Sequence, residues 1–288
     1  MSFVREFWKA IRRGRVLRYG VVLSLLMVLV ALLAPVIANH SPTEMHRGQR
    51  LSAPSRTYFF GTDEYGRDIF SRVVYGSRVS VLVGLTVAVM ATLLGGAAGL
   101  VSGYFGRLDP YVMRLMDAMM AIPAIILAMG IVAVLGPGMS NAMFALAIVE
   151  TPLTARLVRS VVLPMKELDY VVAARAAGCS QLRILARHIL PNCISPLLIN
   201  GSFVFAVAVQ AEATLSFLGL GVSPPTPTWG NIAAEGLAFI RQASWYVLMP
   251  GVALALMVFG LNMLGDGLRD ELDPKQRTRM RSRKAAGS

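Results

Sequence analysis

Long apolar segments recur along this chain and restrict what it can fold into. Residues 19–39 contain no charged side chain, and further apolar stretches follow at residues 79–101, 112–135, 139–163, 194–218 and 245–264. An α-helix of about 20 apolar residues spans the ~30 Å hydrocarbon core of a bilayer. The pattern therefore predicts an all-α integral membrane protein with six transmembrane helices.

The composition supports a protein surrounded by lipid. Of 288 residues, 55% are hydrophobic and only 15% are charged, which is unusual for a soluble domain. The net charge of +12 could indicate nucleic acid, but no nucleic-acid-binding motif accompanies it. The cations collect at the two ends and beside the apolar segments, as positive-inside topology requires. We therefore expect a bilayer as the partner surface and no nucleic acid.

Charge also assigns the connecting segments to the two sides of the membrane. The basic segment 1–18 and the basic tail 265–288 are predicted to be cytoplasmic, and residues 40–78 are predicted to lie outside. Residues 79–264 then form a five-helix core. A cleaved signal peptide is the alternative for residues 19–39, although its apolar core would be shorter. Six spans place the loop 164–193, here called the elbow, on the cytoplasmic side.

The elbow is the longest polar interruption in the second half of the chain, and its residue spacing predicts two short amphipathic helices. Gly178 suits the end of the first helix, Ser180 suits the N-cap of the second, and Pro191 is expected to stop the second. One predicted face comprises Tyr170, Ala173, Ala174, Ala177 and Gly178, and the other comprises Leu182, Leu185, Ala186 and Ile189. Helices this short are marginal without a partner, so we expect the elbow to dock onto another protein.

The elbow sequence resembles the EAA loop of permease subunits in bacterial ATP-binding-cassette (ABC) importers. That motif is Glu-Ala-Ala, three residues, Gly, nine residues, and Ile-x-Leu-Pro; here Val172 replaces the Glu and His188 replaces the Ile. In the family this loop is the coupling helix that sits in a groove of the cytoplasmic ATPase. The resemblance implies ATPase-coupling roles for Asp169, Tyr170, Ala173, Ala174, Gly178, Leu182, Arg187, Leu190 and Pro191.

A second motif lies in the outer segment. Gly61 and Gly66 indicate turns, and Asp63 and Asp68 are expected to pair with Arg67 and Arg72. The pattern GTDxxGRDxxSRxxxGxR resembles the C-type permease of dipeptide and oligopeptide importers, as do the stretches FLGLGVSPPTPTWG and GDGLRDELDP. The periplasmic motif residues are Gly61, Asp63, Gly66, Arg67 and Asp68. The alternative is an ion-paired cap that does not contact the substrate.

Two carboxylates fall inside predicted spans. Glu150 lies near the middle of the fourth span beside Pro152, and Glu212 lies in the outer half of the fifth. A carboxylate at this depth should face protein or water, so both are candidates for the translocation path. The alternative for Glu150 is a hydrogen-bonded brace at the proline kink. Gly95, Gly99 and Gly103 form a close-packing face that fits a subunit interface and an intrachain contact equally well.

The resemblance implies a type I ABC importer permease in the bacterial inner membrane, with both termini cytoplasmic. The expected partners are a second permease, two ATP-binding subunits and a periplasmic solute-binding protein. No catalytic residue, metal site or cofactor is expected in this chain, and ATP with Mg would bind the partner ATPases. The sequence also lacks the Gly-Lys pair of a phosphate-binding P-loop.

Two other classes of function are less consistent with the residues. An intramembrane protease would need a His at membrane depth, and the three His fall outside the spans. A proton- or sodium-coupled transporter could use Glu150 and Glu212, but inverted repeats of broken helices are not evident. Di- or oligopeptides are the solutes implied by the resemblance, with nickel or another small solute as the alternative.

Overall fold

The computed structural model describes residues 14–272, and every regular element in that range is helical. The helices are α1 (Arg15–Leu32), α2 (Ala34–Ile37), α3 (Ile69–Tyr104), α4 (Asp109–Met120), α5 (Ala124–Leu135), α6 (Met139–Met165), α7 (Asp169–Ala176), α8 (Gln181–Ile184), α9 (Leu190–Phe217), α10 (Trp229–Leu237) and α11 (Trp245–Leu272). The all-α prediction is confirmed. Most of the N-terminal basic segment and of the C-terminal tail lies outside the described residues.

Four helical segments in the described range are long and apolar enough to cross a membrane. They are Arg15–Leu32, Ile69–Tyr104, Gln181–Phe217 and Trp245–Glu271. Helices α4 and α5 provide a fifth if the bent pair counts as one span. Helix α6 occupies the predicted fourth span and has 27 residues, but Glu150, Arg156 and Arg159 make it less apolar than the others.

Several element boundaries differ from the sequence-based expectation. The first apolar segment is interrupted after Leu32, and the short α2 follows with Pro35 in its first turn. Helix α3 begins at Ile69, ten residues before the expected span, because the Asp68 side chain caps it. Helix α11 runs to Leu272, so the predicted tail from residue 265 begins inside a helix.

The predicted third span is broken into two helices. Helices α4 and α5 meet at an angle of 92° across residues 121–123. Pro123 is the N-cap of α5, and its ring excludes the helical conformation from the residue before it. A continuous kinked helix was therefore the wrong expectation for this segment.

The glycine face of α3 packs within this chain. A Cβ on Gly95 would lie 2.6 Å from the Thr151 carbonyl oxygen, and one on Gly99 would lie 2.4 Å from that of Ala155. Gly103 approaches Val162 in the same way. Because α3 and α6 touch backbone to backbone, this glycine repeat serves an intrachain contact. Helix α9 packs against α3, α6 and α11, and thus lies at the centre of the bundle.

Candidate functional site

The first elbow helix, α7, follows α6 after three connecting residues, and the chain turns at Gly178. Helix α7 ends in a Schellman motif, in which the Gly178 N–H donates to the Arg175 oxygen and the Cys179 N–H donates to the Ala174 oxygen. Gly178 has φ +80°, a conformation that side chains with a Cβ rarely adopt. The prediction that Gly178 ends the first helix is confirmed. Ser180 occupies the predicted N-cap, although its side chain makes no capping hydrogen bond.

The second elbow helix does not stop at Pro191. It passes through a π-helical turn, Leu185–Ile189, and continues directly as α9. Pro191 directly follows the π turn, in which the Leu190 N–H donates to the Leu185 oxygen five residues earlier, so the missing proline N–H falls where the regular α-helical bonding is already altered. The expected stop is wrong, and one segment of 37 residues, Gln181–Phe217, joins the elbow to the bundle centre.

The elbow is fixed to the bundle by a small apolar cluster. Val171, Ile184 and Ile189 are fully buried against Val158 and Val162 of α6. The predicted second stripe is therefore partly wrong. Ile184 points inward in place of Leu182, and the π turn Leu185–Ile189 brings Ile189, five residues further on, into the same buried cluster.

The opposite side of the elbow is uncovered in this chain and combines apolar with cationic side chains. Leu182 is 73% exposed and Tyr170 is 46% exposed. The other exposed residues of this surface are Asp169, Val172, Ala173, Arg175, Ala177, Gly178, Arg183, Arg187, Leu190 and Pro191. Ala174 is half-buried against the apolar cluster. All the predicted coupling residues except Ala174 are thus exposed in this chain.

The outer motif folds into a compact turn. Asp63 Oδ1 accepts hydrogen bonds from the backbone N–H groups of Tyr65, at 2.8 Å, and Arg67, at 2.9 Å. Gly61 and Gly66 have φ values of +74° and +76°, and a Cβ on Gly66 would overlap the His46 oxygen. Both glycines are therefore required by the turn, as predicted from the sequence.

The turn is tied to three helices by a buried ionic cluster, here called the outer hub. Asp63 Oδ2 accepts from Arg67 Nε at 2.5 Å and from Arg72 Nη1 at 2.6 Å. Glu235 Oε2 of α10 accepts from Arg67 Nη2 at 2.9 Å and from Arg72 Nη1 at 2.8 Å. The Tyr246 hydroxyl of α11 lies 2.9 Å from the same Glu235 oxygen. One cluster therefore joins the turn to α3, α10 and α11.

The arginines of the hub keep the Glu235 carboxylate in its charged form. Burial would raise the pKa of Glu235, but hydrogen bonds and charges from Arg72, with help from Tyr246 and Arg67, hold that pKa below its usual value. Carboxylate oxygens of Asp63, Glu64 and Glu235 lie within 4.8 Å of one another. The guanidinium groups of Arg67 and Arg72 supply part of the compensating positive charge.

Asp68 has a different role from the predicted one. It forms no ion pair with an arginine among the described residues; its Oδ2 instead accepts from the Ser71 N–H and hydroxyl at the start of α3. The sequence reasoning also missed Glu235 and Tyr246. They are more than 160 residues from the turn, and no local pattern connects them to it.

The two membrane carboxylates lie in different surroundings. Glu150 is half-buried, and its carboxylate has no hydrogen-bond or ion-pair partner within residues 14–272. The Thr154 hydroxyl donates to the Glu150 backbone oxygen and accepts from Asn200 of α9. Glu212 is fully buried and accepts from the Ser216 hydroxyl at 2.7 Å. The structure does not bring Glu150 and Glu212 into contact.

The fold resembles that of a chain in a solved ABC transporter. A structure of the MetNI methionine ABC transporter in inward-facing conformations superposes with a TM-score of 0.55 at 20% identity, covering 71% of this chain and 98% of that chain. The predicted permease fold is confirmed by this likeness. Because the identity is low, this likeness supports a shared fold and not a shared function.

Sequence comparison identifies the family. Residues 79–278 match the binding-protein-dependent transport system inner membrane component, and residues 2–54 match the N-terminal TM domain of oligopeptide transport permease C. The chain belongs to the family of binding-protein-dependent transport system inner membrane components. This membership confirms the prediction of a transport permease and not an enzyme.

Similar proteins align with nearly the whole chain. A putative peptide transport system permease protein of Brucella suis is 49% identical over 267 residues, covering 93% of this chain and 90% of that protein. The dipeptide transport system permease protein of Alkalihalophilus pseudofirmus is 42% identical, covering 95% and 90%. The di/tripeptide transport system permease protein of Pseudomonas aeruginosa is 42% identical, covering 95% and 93%.

Proposed function

We propose that this chain is one of two permease subunits in an ATP-driven importer of di- and oligopeptides. A periplasmic binding protein delivers the peptide to the outer face, and two cytoplasmic ATPase subunits bind ATP with Mg. The chain itself binds no cofactor. Relatives named as dipeptide and di/tripeptide permeases, aligned over nine-tenths or more of their length, support the peptide as solute.

We propose the uncovered elbow surface as the ATPase contact. Exposed apolar side chains such as Leu182 and Tyr170 are of the kind that a protein partner covers. Arg175, Arg183 and Arg187 add positive charge to this surface, which suits an acidic rim on the partner. This arrangement is the observation that carries the proposal, together with the buried anchors that fix the elbow to α6.

Force applied to the elbow has two covalent routes into the membrane. Helix α7 is three residues from α6, and the second elbow helix is continuous with α9. The two ATPase states must bind the elbow with different free energies to drive a change in the helices. We place both termini of the chain on the cytoplasmic side with the elbow, in the bacterial inner membrane.

Leu182→Glu provides the cleanest test. The side chain is outside the packed cluster, so the charge leaves the fold of the chain intact, whereas any Cβ at Gly178 strains its backbone. We expect the reconstituted importer to lose at least about tenfold in ATP-dependent uptake of radiolabelled alanyl-alanine, because burying an unpaired carboxylate weakens docking.

Leu237→Glu serves as the matched control, because Leu237 is also an exposed leucine but lies on α10 next to the outer loop. It should transport at the wild-type rate. Normal uptake and normal ATPase association of the Leu182→Glu importer would reject the elbow as the docking surface.

A further inference from the structure

A pair of salt bridges joins α4 to the end of α6 that leads into the elbow. Arg159 Nε and Nη2 donate to the two oxygens of Asp109, both at 2.6 Å. One turn earlier on α6, Arg156 Nη2 donates to Asp117 at 2.5 Å. The first pair is bidentate, which fixes direction as well as distance.

Helix α4 has little else to hold it in place. Met116 is the only buried residue among its twelve. The antiparallel match of the pairs, Asp109 with Arg159 and Asp117 with Arg156, fixes the register of α4 along α6. The bidentate Asp109–Arg159 pair, which is the less exposed of the two, therefore helps to set the position of α4 along this surface.

The salt bridges lie between the elbow and the broken helix pair. Val158 and Val162, on either side of Arg159, form the floor on which the elbow packs. The backbone of Arg159 also sits against the glycine face of α3, 3.1 Å from a Cβ built on Gly99. At its other end, α4 continues through the 92° bend into α5.

We propose that Asp109 and Arg159, supported by Asp117 and Arg156, are positioning residues that make α4 and the bend follow the elbow. This inference rests on the proposed function, because it assumes that the elbow receives its movement from an ATPase. A displaced end of α6 then carries α4 with it, and the bend at Pro123 changes its angle. Without the pair, α6 moves and α4 stays behind.

The test measures coupling in the complete importer reconstituted in proteoliposomes. Uptake of radiolabelled alanyl-alanine and ATP hydrolysis are recorded together for Asp109→Asn and Arg159→Gln. We expect each to lower the peptide transported per ATP by about threefold or more, within the range that coupling mutations produce. ATP hydrolysis should persist, which a simple loss of folded protein would not allow. Arg114→Gln is the matched control, since Arg114 is an exposed cation of α4 without a salt bridge among the described residues.

The exchanged variant Asp109→Arg/Arg159→Asp decides whether the pairing itself matters. Recovery of at least half of the wild-type coupling ratio supports the proposal. Two results overturn it: an unchanged ratio in the single variants, or an intact exchanged protein that does not recover. Leu182→Glu, measured in parallel, separates the two hypotheses. If Leu182→Glu abolishes uptake while Asp109→Asn keeps full coupling, the elbow role stands and the positioning role fails. If Leu182→Glu has no effect, both fail.

Discussion

Replacing Arg72 with Met should destabilise the protein through the outer hub. Arg72 is only 2% exposed, and its Nη1 bridges Asp63 and Glu235. Two guanidinium groups face three carboxylates in the native hub, counting Glu64. The substitution leaves one guanidinium against three carboxylates, at least one of which is completely buried.

The magnitude follows from the burial of the charges. Removing one partner of a fully buried ion pair costs about 3–5 kcal/mol. Glu235 is 23% exposed, so water screens part of the loss, and Arg67 remains beside both carboxylates. We therefore expect about 2–3 kcal/mol, which corresponds to a decrease in Tm of about 4–12 °C at ~2–4 °C per kcal/mol.

The assay is thermal unfolding of the purified chain in detergent at neutral pH. Arg78→Met is the matched control, because Arg78 is on the same helix but is exposed, with its guanidinium 5.9 Å from the centre of the Tyr75 ring. It should change Tm by about 1 °C or less. If Arg72→Met unfolds at the same temperature as Arg78→Met, the hub does not stabilise the outer face and the reasoning is refuted.

Two further predictions concern packing and pH. Gly99→Ala places a Cβ 2.4 Å from the Ala155 oxygen and should lower the free energy of unfolding by about 1–3 kcal/mol. A Cβ at the control position Gly130 has no atom within 4 Å, so Gly130→Ala should not destabilise the protein. Equal Tm values for the two variants would contradict the backbone contact of α3 and α6. The lowered pKa of Glu235 means that its stabilising contribution is present above its ordinary pKa of 4.5 and is lost as pH falls below that value. The decrease in Tm between pH 7 and pH 4 should therefore be smaller in Glu235→Gln than in wild type, and an equal or larger decrease would exclude this contribution.

Local sequence determined much of this protein. Several apolar segments are long enough to span a bilayer as helices. In lipid, a helix satisfies the hydrogen bonds of its own backbone, so the all-α class could be predicted without tertiary information. Gly61, Gly66 and Gly178 were predictable for the same local reason, since each lies where the turn requires a positive φ. The elbow motif also specified a surface that this chain leaves uncovered.

Tertiary contacts decided the rest. The sequence contains Asp63 and Arg72, but only folding places Glu235 and Tyr246 beside them, because α10 and α11 return to the outer turn from more than 160 residues away. The sequence also did not decide whether the glycine face of α3 contacts another subunit or another helix of this chain, and the structure places α6 against it. Local propensity predicted that the helix would end at Pro191. In the structure a π turn precedes Pro191, and the helix continues. Local sequence preferences depend on residues that are close along the chain, whereas charge pairing and close packing depend on which helices come into contact.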